Sequence, residues 1–180
     1  MPDGGTAPAL GLPWWPSAPE PVDPAAAGVL VLALGVDPRV AEVATAWADE
    51  AERVAPTRVV TVPEGIDGGA ATVSAALTTA RTGVRILVVG AQYDVLRGLA
   101  LARGLGAGPR ELSAYAVDAG AARADLPVFC AHCRAVRRLH TTPGGTVDCT
   151  GCGRHLEVHG HHSASLGAFL ASDSRARELV

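Results

Sequence analysis

Lysine is absent from this chain of 180 residues, and its 15 permanently charged basic side chains are all arginines. The motif G-x-x-x-x-G-K-[ST], which binds nucleotide phosphates, is therefore excluded. Aromatic residues make up only 4% of the sequence against 48% hydrophobic residues, which predicts a core of Ala, Val and Leu. The longest apolar run, near residues 28–35, is far too short to cross a bilayer.

Histidine is absent from residues 1–120, and all six histidines lie in the last 50 residues. This uneven distribution predicts two modules with separate roles. The net charge of −3 gives no overall attraction to nucleic acid. The N-terminus lacks the basic, apolar and small-residue succession of a signal peptide, so we predict a cytoplasmic protein with reduced thiols.

The four cysteines lie in one stretch, residues 129–153, as two C-x-x-C pairs separated by 15 residues. This spacing is typical of a four-thiolate metal site, in which each pair forms a tight turn that directs both sulfurs inward. We predict structural zinc, which leaves no open position for a substrate. A rubredoxin-like iron site is the main alternative, and two disulfides are disfavoured in a reducing compartment. The predicted ligands are Cys130, Cys133, Cys149 and Cys152.

The two cysteine turns differ in the residue that follows each pair. Gly153 follows the second pair and suits a turn with positive φ. Arg134 follows the first pair, so we expect that turn to be less regular. The residues between the pairs suit a short hairpin with Pro143-Gly144-Gly145 as its turn.

A second cluster of possible metal ligands is formed by three histidines close to the C-terminus. We predict that they lie in a polar surface loop, because no acidic partner is evident nearby. Binding of a transition metal or a haem is the alternative. The three are His159, His161 and His162.

Residues 28–120 alternate short apolar runs with segments of helical periodicity. Helices are predicted to begin at Asp37-Pro38, near Asp67 and near Tyr93. The alternation predicts a small parallel Rossmann-like sheet with helices on both faces, followed by a four-cysteine zinc-ribbon or rubredoxin-like module over residues 126–171. The predicted strands span residues 28–34, 58–62, 84–90 and 112–117.

Ligands of such sheets lie at the carboxyl ends of the strands. The candidate segments here are residues 35–37, 63–65 and 90–93. The fingerprint G-x-G-x-x-G is absent after the first strand, and Asp37 places a carboxylate where a pyrophosphate would lie. We therefore predict a scaffold with no catalytic and no cofactor-binding residues.

Residues 1–27 are rich in Pro, Gly and Ala without periodicity, which predicts a flexible leader, and residues 172–180 are predicted to be a flexible tail. Within the leader, Trp14 and Trp15 stand between prolines. Two interpretations stay open: the rings dock onto a partner, or they pack against the surface of this chain.

Four short motifs mark the C-terminal third: V-F-C-A-H-C at residues 128–133, C-T-G-C-G-R-H-L at 149–156, H-H-S at 161–163 and A-F at 168–169. Together they resemble the small DmmA-like subunit of dimethylamine monooxygenase over residues 126–171. The resemblance implies that the four cysteines are metal ligands and that His132 is the histidine of the first cysteine turn. His161 and Ser163 match the family's H-F-S-R-R, whereas His162, Ala164 and Ser165 depart from it.

The resemblance implies a non-catalytic subunit of a multicomponent, reductase-coupled amine monooxygenase. Companion subunits of that family, a haem oxygenase and a reductase component, carry the haem, flavin and iron–sulfur centres and the N-demethylation. This chain would act in assembly and in docking for electron transfer.

Two other functions stay open: a rubredoxin-like electron carrier, if the metal is iron, and a zinc ribbon that binds nucleic acid. The basic residues available to a nucleic acid are Arg134, Arg137, Arg138 and Arg154. Phe129 is the single aromatic residue between 129 and 153, so platforms for base stacking are lacking. Nucleic acid is therefore not the predicted partner.

Overall fold

The computed structural model describes residues 11–176, which form a four-stranded sheet followed by a five-stranded sheet. The outer parts of the predicted leader and tail, residues 1–10 and 177–180, lie outside the described residues. The first region contains β1 (Gly28–Leu34), α1 (Pro38–Ala51), β2 (Thr57–Val62), α2 (Gly65–Thr78), β3 (Val84–Gly90), α3 (Gln92–Gly104) and β4 (Leu112–Ala116). The second contains β5 (Ala124–Cys130), β6 (Ala135–Thr141), β7 (Thr146–Asp148), β8 (His155–Ser163) and β9 (Ala168–Asp173).

The four-stranded sheet is parallel throughout, with the order β2-β1-β3-β4. Every residue of β1 is buried, because helices cover both faces of the sheet. Even-numbered β1 side chains such as Leu32 pack with α2 and α3, and odd-numbered ones such as Val31 pack with α1. The predicted parallel sheet with flanking helices is confirmed.

The helix starts follow the prediction at α1 and depart from it at α2. Asp37 caps α1, accepting a hydrogen bond from Arg39 N at 2.9 Å. The α2 helix begins at Gly65, so Asp67 lies in its first turn and the prediction that Asp67 caps it is wrong. Its N-terminus is capped from another helix, because Asp94 Oδ1 accepts a hydrogen bond from Ile66 N at 2.9 Å.

The five-stranded sheet is mixed and has the order β6-β5-β9-β8-β7. The expected hairpin between the two cysteine pairs is wrong, because β6 and β7 lie at opposite edges of this sheet. The segment Pro143-Gly144-Gly145 connects β6 to β7 along the chain, and its hydrogen bonds are to β8. Gly144 N donates to Val158 O at 2.8 Å, and Val158 N donates to Gly145 O at 2.9 Å.

The histidine cluster lies in β8, so its prediction as a surface loop is wrong. The physical reason is the burial of Leu156 and Val158 on this strand, which pairs with β9. The strand is irregular between Val158 and His162.

The α3 helix lies between the two sheets. Leu99 packs with the core of the parallel sheet, while Leu96 packs with Leu126 and Val128 of the five-stranded sheet. A helix that is apolar on several sides is expected where two layers cover it. Because α3 serves both cores, the division into domains over residues 28–120 and 126–171 stays a prediction.

Part of the predicted leader contacts the folded body. Val22 is buried, and Trp47 Nε1 donates a hydrogen bond to Glu20 O at 2.8 Å. Asp23 forms an ion pair with Arg85 of β3 at 2.7 Å. Among the helices described between residues 11 and 176, none is long and apolar enough to span a membrane.

Candidate metal centre

The four cysteines lie in the turns of two β-hairpins. Cys130 ends β5, and Cys133 lies in the turn that leads into β6. Cys149 follows β7, and Cys152 lies in the turn that leads into β8. The fold brings the two turns together, although 15 residues separate them in the sequence.

The four Sγ atoms all lie within 4.8 Å of one another. The Sγ atoms of Cys130 and Cys152 are 3.8 Å apart, as are those of Cys133 and Cys149. A tetrahedral ion with bonds of about 2.3 Å to sulfur separates its ligands by about 3.8 Å. All four cysteines are free, so the alternative of two disulfides is wrong. The cysteines are positioned to bind a metal ion.

The two cysteine turns have the same backbone conformation. Arg134 N donates to Cys130 O and Gly153 N donates to Cys149 O, both at 2.8 Å. The φ angles are +54° at Arg134 and +69° at Gly153. The expectation of a less regular first turn is therefore wrong, since Arg134 adopts the left-handed conformation that usually favours glycine.

Backbone N–H groups around the second turn act to lower the pKa values of the Cys149 and Cys152 thiols. Burial raises the pKa of the Cys149 thiol, but hydrogen bonds from Gly151 N, Cys152 N and neighbouring thiols outweigh it and lower that pKa to about 7. Arg154 N lowers the pKa of Cys152, yet burial and the three other thiols raise it to about 11. Four thiolates this close repel one another, so their joint ionisation requires a cation such as a bound metal.

The surroundings enclose the cysteine cluster on several sides. Cys130 and Cys149 are buried, and Cys133 and Cys152 are half-buried. The Arg137 guanidinium lies against Gly151, where an added Cβ would come within 2.7 Å of its Nε. A side chain at position 151 would therefore displace Arg137 from the second turn. His132, which the resemblance places in the first turn, is exposed there.

Arg138 of β6 connects the five-stranded sheet to the helices of the first region. Its guanidinium carbon lies 3.7 Å from the centre of the Tyr93 ring, and its Nη2 lies 3.1 Å from Asp94 Oδ1 and 3.3 Å from Asp67 Oδ2. Tyr93 donates a hydrogen bond to Asp67 at 2.8 Å, and burial raises the pKa of Tyr93 to about 12. Sequence reasoning missed this network because its members lie far apart along the chain.

Three of the four arginines considered for nucleic-acid binding have contacts within the protein. Arg137 lies on the second cysteine turn, Arg138 is held by the two aspartates, and Arg154 pairs with Asp173. The charges of Arg138 and Arg154 are thus compensated by aspartates, whereas the Arg137 guanidinium lies against the backbone at Gly151. These contacts weaken the case for a basic face that binds nucleic acid.

The three clustered histidines of β8 have separate environments and do not converge on a metal. His159 Nε2 lies 2.9 Å from Ser172 Oγ, and His161 lies against Gly11. His162 packs edge-to-face on Phe169, with ring centres 5.4 Å apart. Burial lowers the pKa of His162 to about 4, and its buried Nε2 lacks a hydrogen-bond partner among the described residues.

The carboxyl edge of the parallel sheet carries an aspartate at each helix N-terminus. Asp37 caps α1, Asp94 caps α2, and Asp118 Oδ1 accepts a hydrogen bond from Gln92 N of α3 at 2.8 Å. Burial raises the pKa of Asp118. A phosphate at any of these termini would meet a carboxylate that already occupies the anion position.

The two tryptophans of the N-terminal segment have different environments. Trp15 packs against the cores of both sheets, whereas the Trp14 side chain is 61% exposed. Gly11 O accepts a hydrogen bond from His162 N at 2.7 Å, which holds the start of this segment on β8. Packing onto this chain therefore accounts for Trp15 and leaves Trp14 available.

Residues 127–171 match a family model described as dimethylamine monooxygenase subunit DmmA-like, C-terminal domain. The match contains all four cysteines and confirms the resemblance over this stretch, about a quarter of the chain. The domain suggests a dimethylamine monooxygenase subunit. No curated protein and no solved structure matches the chain at a significant level.

Proposed function

We propose that this chain is a non-catalytic subunit of a multicomponent, reductase-coupled amine monooxygenase, stabilised by one structural zinc ion. Its role is to assemble the complex and to provide a docking surface for electron transfer between a haem oxygenase and a reductase component. The family match over residues 127–171 carries this proposal.

The geometry of the cysteine cluster supports a structural role for the metal. Cys130, Cys133, Cys149 and Cys152 supply four sulfurs, which fill the coordination sphere of a tetrahedral zinc ion. A filled sphere has no position for a substrate or a water nucleophile. Zinc bound here would join the tips of two hairpins and so stabilise the five-stranded sheet.

The parallel sheet supports the same role. Its three helix N-termini are capped by the aspartates Asp37, Asp94 and Asp118, so the anion positions of a nucleotide-binding sheet are already taken. We interpret this sheet as a scaffold that presents surfaces to partner subunits.

The identity of the metal is tested by elemental analysis and visible spectroscopy on protein purified without chelators. We expect one zinc ion per chain and no colour. One iron ion per chain with a red colour that bleaches on reduction would replace the structural role by an electron carrier, since four thiolates also suit iron.

Membership of a complex is tested by co-expressing the tagged full chain with candidate haem oxygenase and reductase components from the same genome. We expect the three to co-purify, and the Cys149→Ser variant to lose its partners. Thr150→Ser, a change in the same turn that leaves all four sulfurs, is the matched control. Failure of the wild-type chain to retain either component would contradict the proposal.

A further inference from the structure

We propose that β2 is the interface of a symmetric homodimer, in which the β2 strands of two copies pair antiparallel and join two four-stranded sheets into one. This inference does not depend on the proposed function, because it rests on the edge of the parallel sheet and not on the metal centre. It commits to one occupant of that edge, a second copy of this chain.

The first observation is that β2 is an open edge strand. It pairs with β1 on one side, and within residues 11–176 no strand pairs with its other side. On the β1 side, the carbonyl of Pro56 accepts a hydrogen bond from Val29 N of β1 at 3.0 Å, and that of Val62 accepts one from Gly35 N, just after β1, at 2.9 Å. Because backbone groups alternate in direction along a strand, the outward N–H and C=O groups belong to Thr57, Val59 and Thr61.

The second observation is that β2 has fewer of the features that protect exposed edges than the other edge strands have. Proteins shield such edges with charged residues, prolines or short strands. The edge strand β6 carries Arg137 and Arg138, β7 has 3 residues, and β4 has 5 residues. In contrast, β2 has 6 residues, of which 5 are β-branched, and Arg58 is its one charged residue.

The third observation is an apolar groove beside this edge, between β2 and α1, with a volume of about 450 Å³. Val59 is 44% exposed on its floor, and Val36 is 80% exposed at its end. The groove exists because α1 leaves part of the β2 face uncovered. Apolar side chains beside unpaired backbone groups favour an added strand over solvent.

Opposite charges at the two ends of β2 favour antiparallel pairing with the β2 strand of a second copy. Arg58 lies at the amino end of the strand, and Glu64 follows its carboxyl end, both exposed. Antiparallel pairing with Val59 opposite Thr61 of the other copy places each Arg58 two positions diagonally from the other Glu64. Long side chains reach that distance. Both charge pairs form at once, because a two-fold interface repeats every contact.

The experiment measures the oligomeric state of the full-length protein by sedimentation equilibrium over a range of concentrations. We expect a dimer for the wild type. Val59→Lys introduces two like charges near the two-fold axis and should weaken the dimer by at least about tenfold. Leu105→Lys, at a site with similar exposure (46%) at the end of α3, is the matched control and should dimerise as the wild type does.

A charge exchange tests the orientation. Arg58→Glu and Glu64→Arg should each weaken the dimer, and the double variant should restore it, because the exchanged pair is again complementary. At concentrations where the dimer forms, the amides of Val59 and Thr61 should exchange with deuterium more slowly than in a diluted, monomeric sample.

Three results would overturn the inference. The first is a monomeric wild type at every concentration tested, which would leave the edge to another partner. The second is a dimer that persists in Val59→Lys. The third is a dimer that responds to neither single charge exchange, which would assign dimerisation to another surface. None of these results bears on metal content or on binding of the oxygenase components.

Discussion

The four-stranded sheet buries aliphatic side chains on both faces, whereas the five-stranded sheet buries a single cluster that includes Cys130 and Cys149. Helices pack on both faces of the four-stranded sheet and form its core together with the strands. The five-stranded sheet brings the tips of its two hairpins together, where four cysteines are positioned to bind a metal ion. The comparison teaches that burial of apolar surface stabilises both sheets, while only the second contains four cysteines, contributed by two turns, whose binding of a metal ion would add to its stability.

Cys149→Ser should produce the largest difference between the two sheets, because it removes one of the four sulfurs that can bind a metal ion. Structural zinc contributes roughly 10–16 kcal/mol to the folding of isolated zinc-finger peptides. We expect loss of the metal and loss of hydrogen-exchange protection in β8, with β1 still protected. Thr150→Ser should leave both unchanged. Equal loss of protection in β1 and β8 would show that the two sheets unfold together.

Arg138→Met would test the connection between the two sheets. The variant leaves the Asp94 carboxylate, which is 7% exposed, without its cationic partner. We expect a loss of about 2 kcal/mol in the free energy of unfolding, measured by urea denaturation. The exposed Arg110→Met is the control. A change below about 0.5 kcal/mol would mean that packing through α3 alone holds the sheets together.

His162→Phe should stabilise the five-stranded sheet, because it removes a buried nitrogen that lacks a partner and keeps the contact with Phe169. The expected gain is roughly 1–2 kcal/mol. Phe is also the residue that the family motif has at this position.

The pH dependence of the free energy of unfolding tests whether the buried His162 is neutral. Its pKa of about 4 in the folded state lies below the value of about 6.5 in an unfolded chain. As the pH falls from about 6.5 to about 4, the unfolded state takes up a proton that the folded state does not, so stability decreases. The decrease should be smaller in His162→Phe. Parallel curves for the two proteins would contradict a buried neutral imidazole.

Arg134 and Gly153 offer the smallest and sharpest test, since the two turns share one conformation. Gly153→Ala should cost about 1 kcal/mol, because no atom lies near the added Cβ and the backbone alone resists it. Arg134→Gly should be neutral or stabilising by up to about 1 kcal/mol in thermal unfolding of the metal-bound protein. Changes of equal sign at both positions would contradict the equivalence of the turns.

Sequence patterns predicted the parallel sheet more completely than the five-stranded one. The strands β1 and β3 have the predicted bounds, and Asp37 caps α1 as expected. These features are local, since apolar runs and capping residues act within a few positions. In the second sheet, β8 and β9 were missed, because their burial comes from pairing and not from a strong local pattern.

The candidate site shows the same division. The spacing of the cysteines predicted the metal cluster, because two C-x-x-C turns can orient four sulfurs wherever the fold brings them together. The interaction of Arg138 with Tyr93 and Asp94 has no sequence signal of this kind. It depends on β6 lying against α3, which only the packed chain determines.

The sequence by itself determined the parallel sheet, its flanking helices and the four cysteines that can hold a metal. Each of these follows from residue type and from spacing over short distances. The tertiary structure decided that α3 is shared by two cores, that Asp94 caps α2 and that Trp15 is packed while Trp14 is exposed. These are contacts between distant segments, so their free energy exists only once the chain has folded.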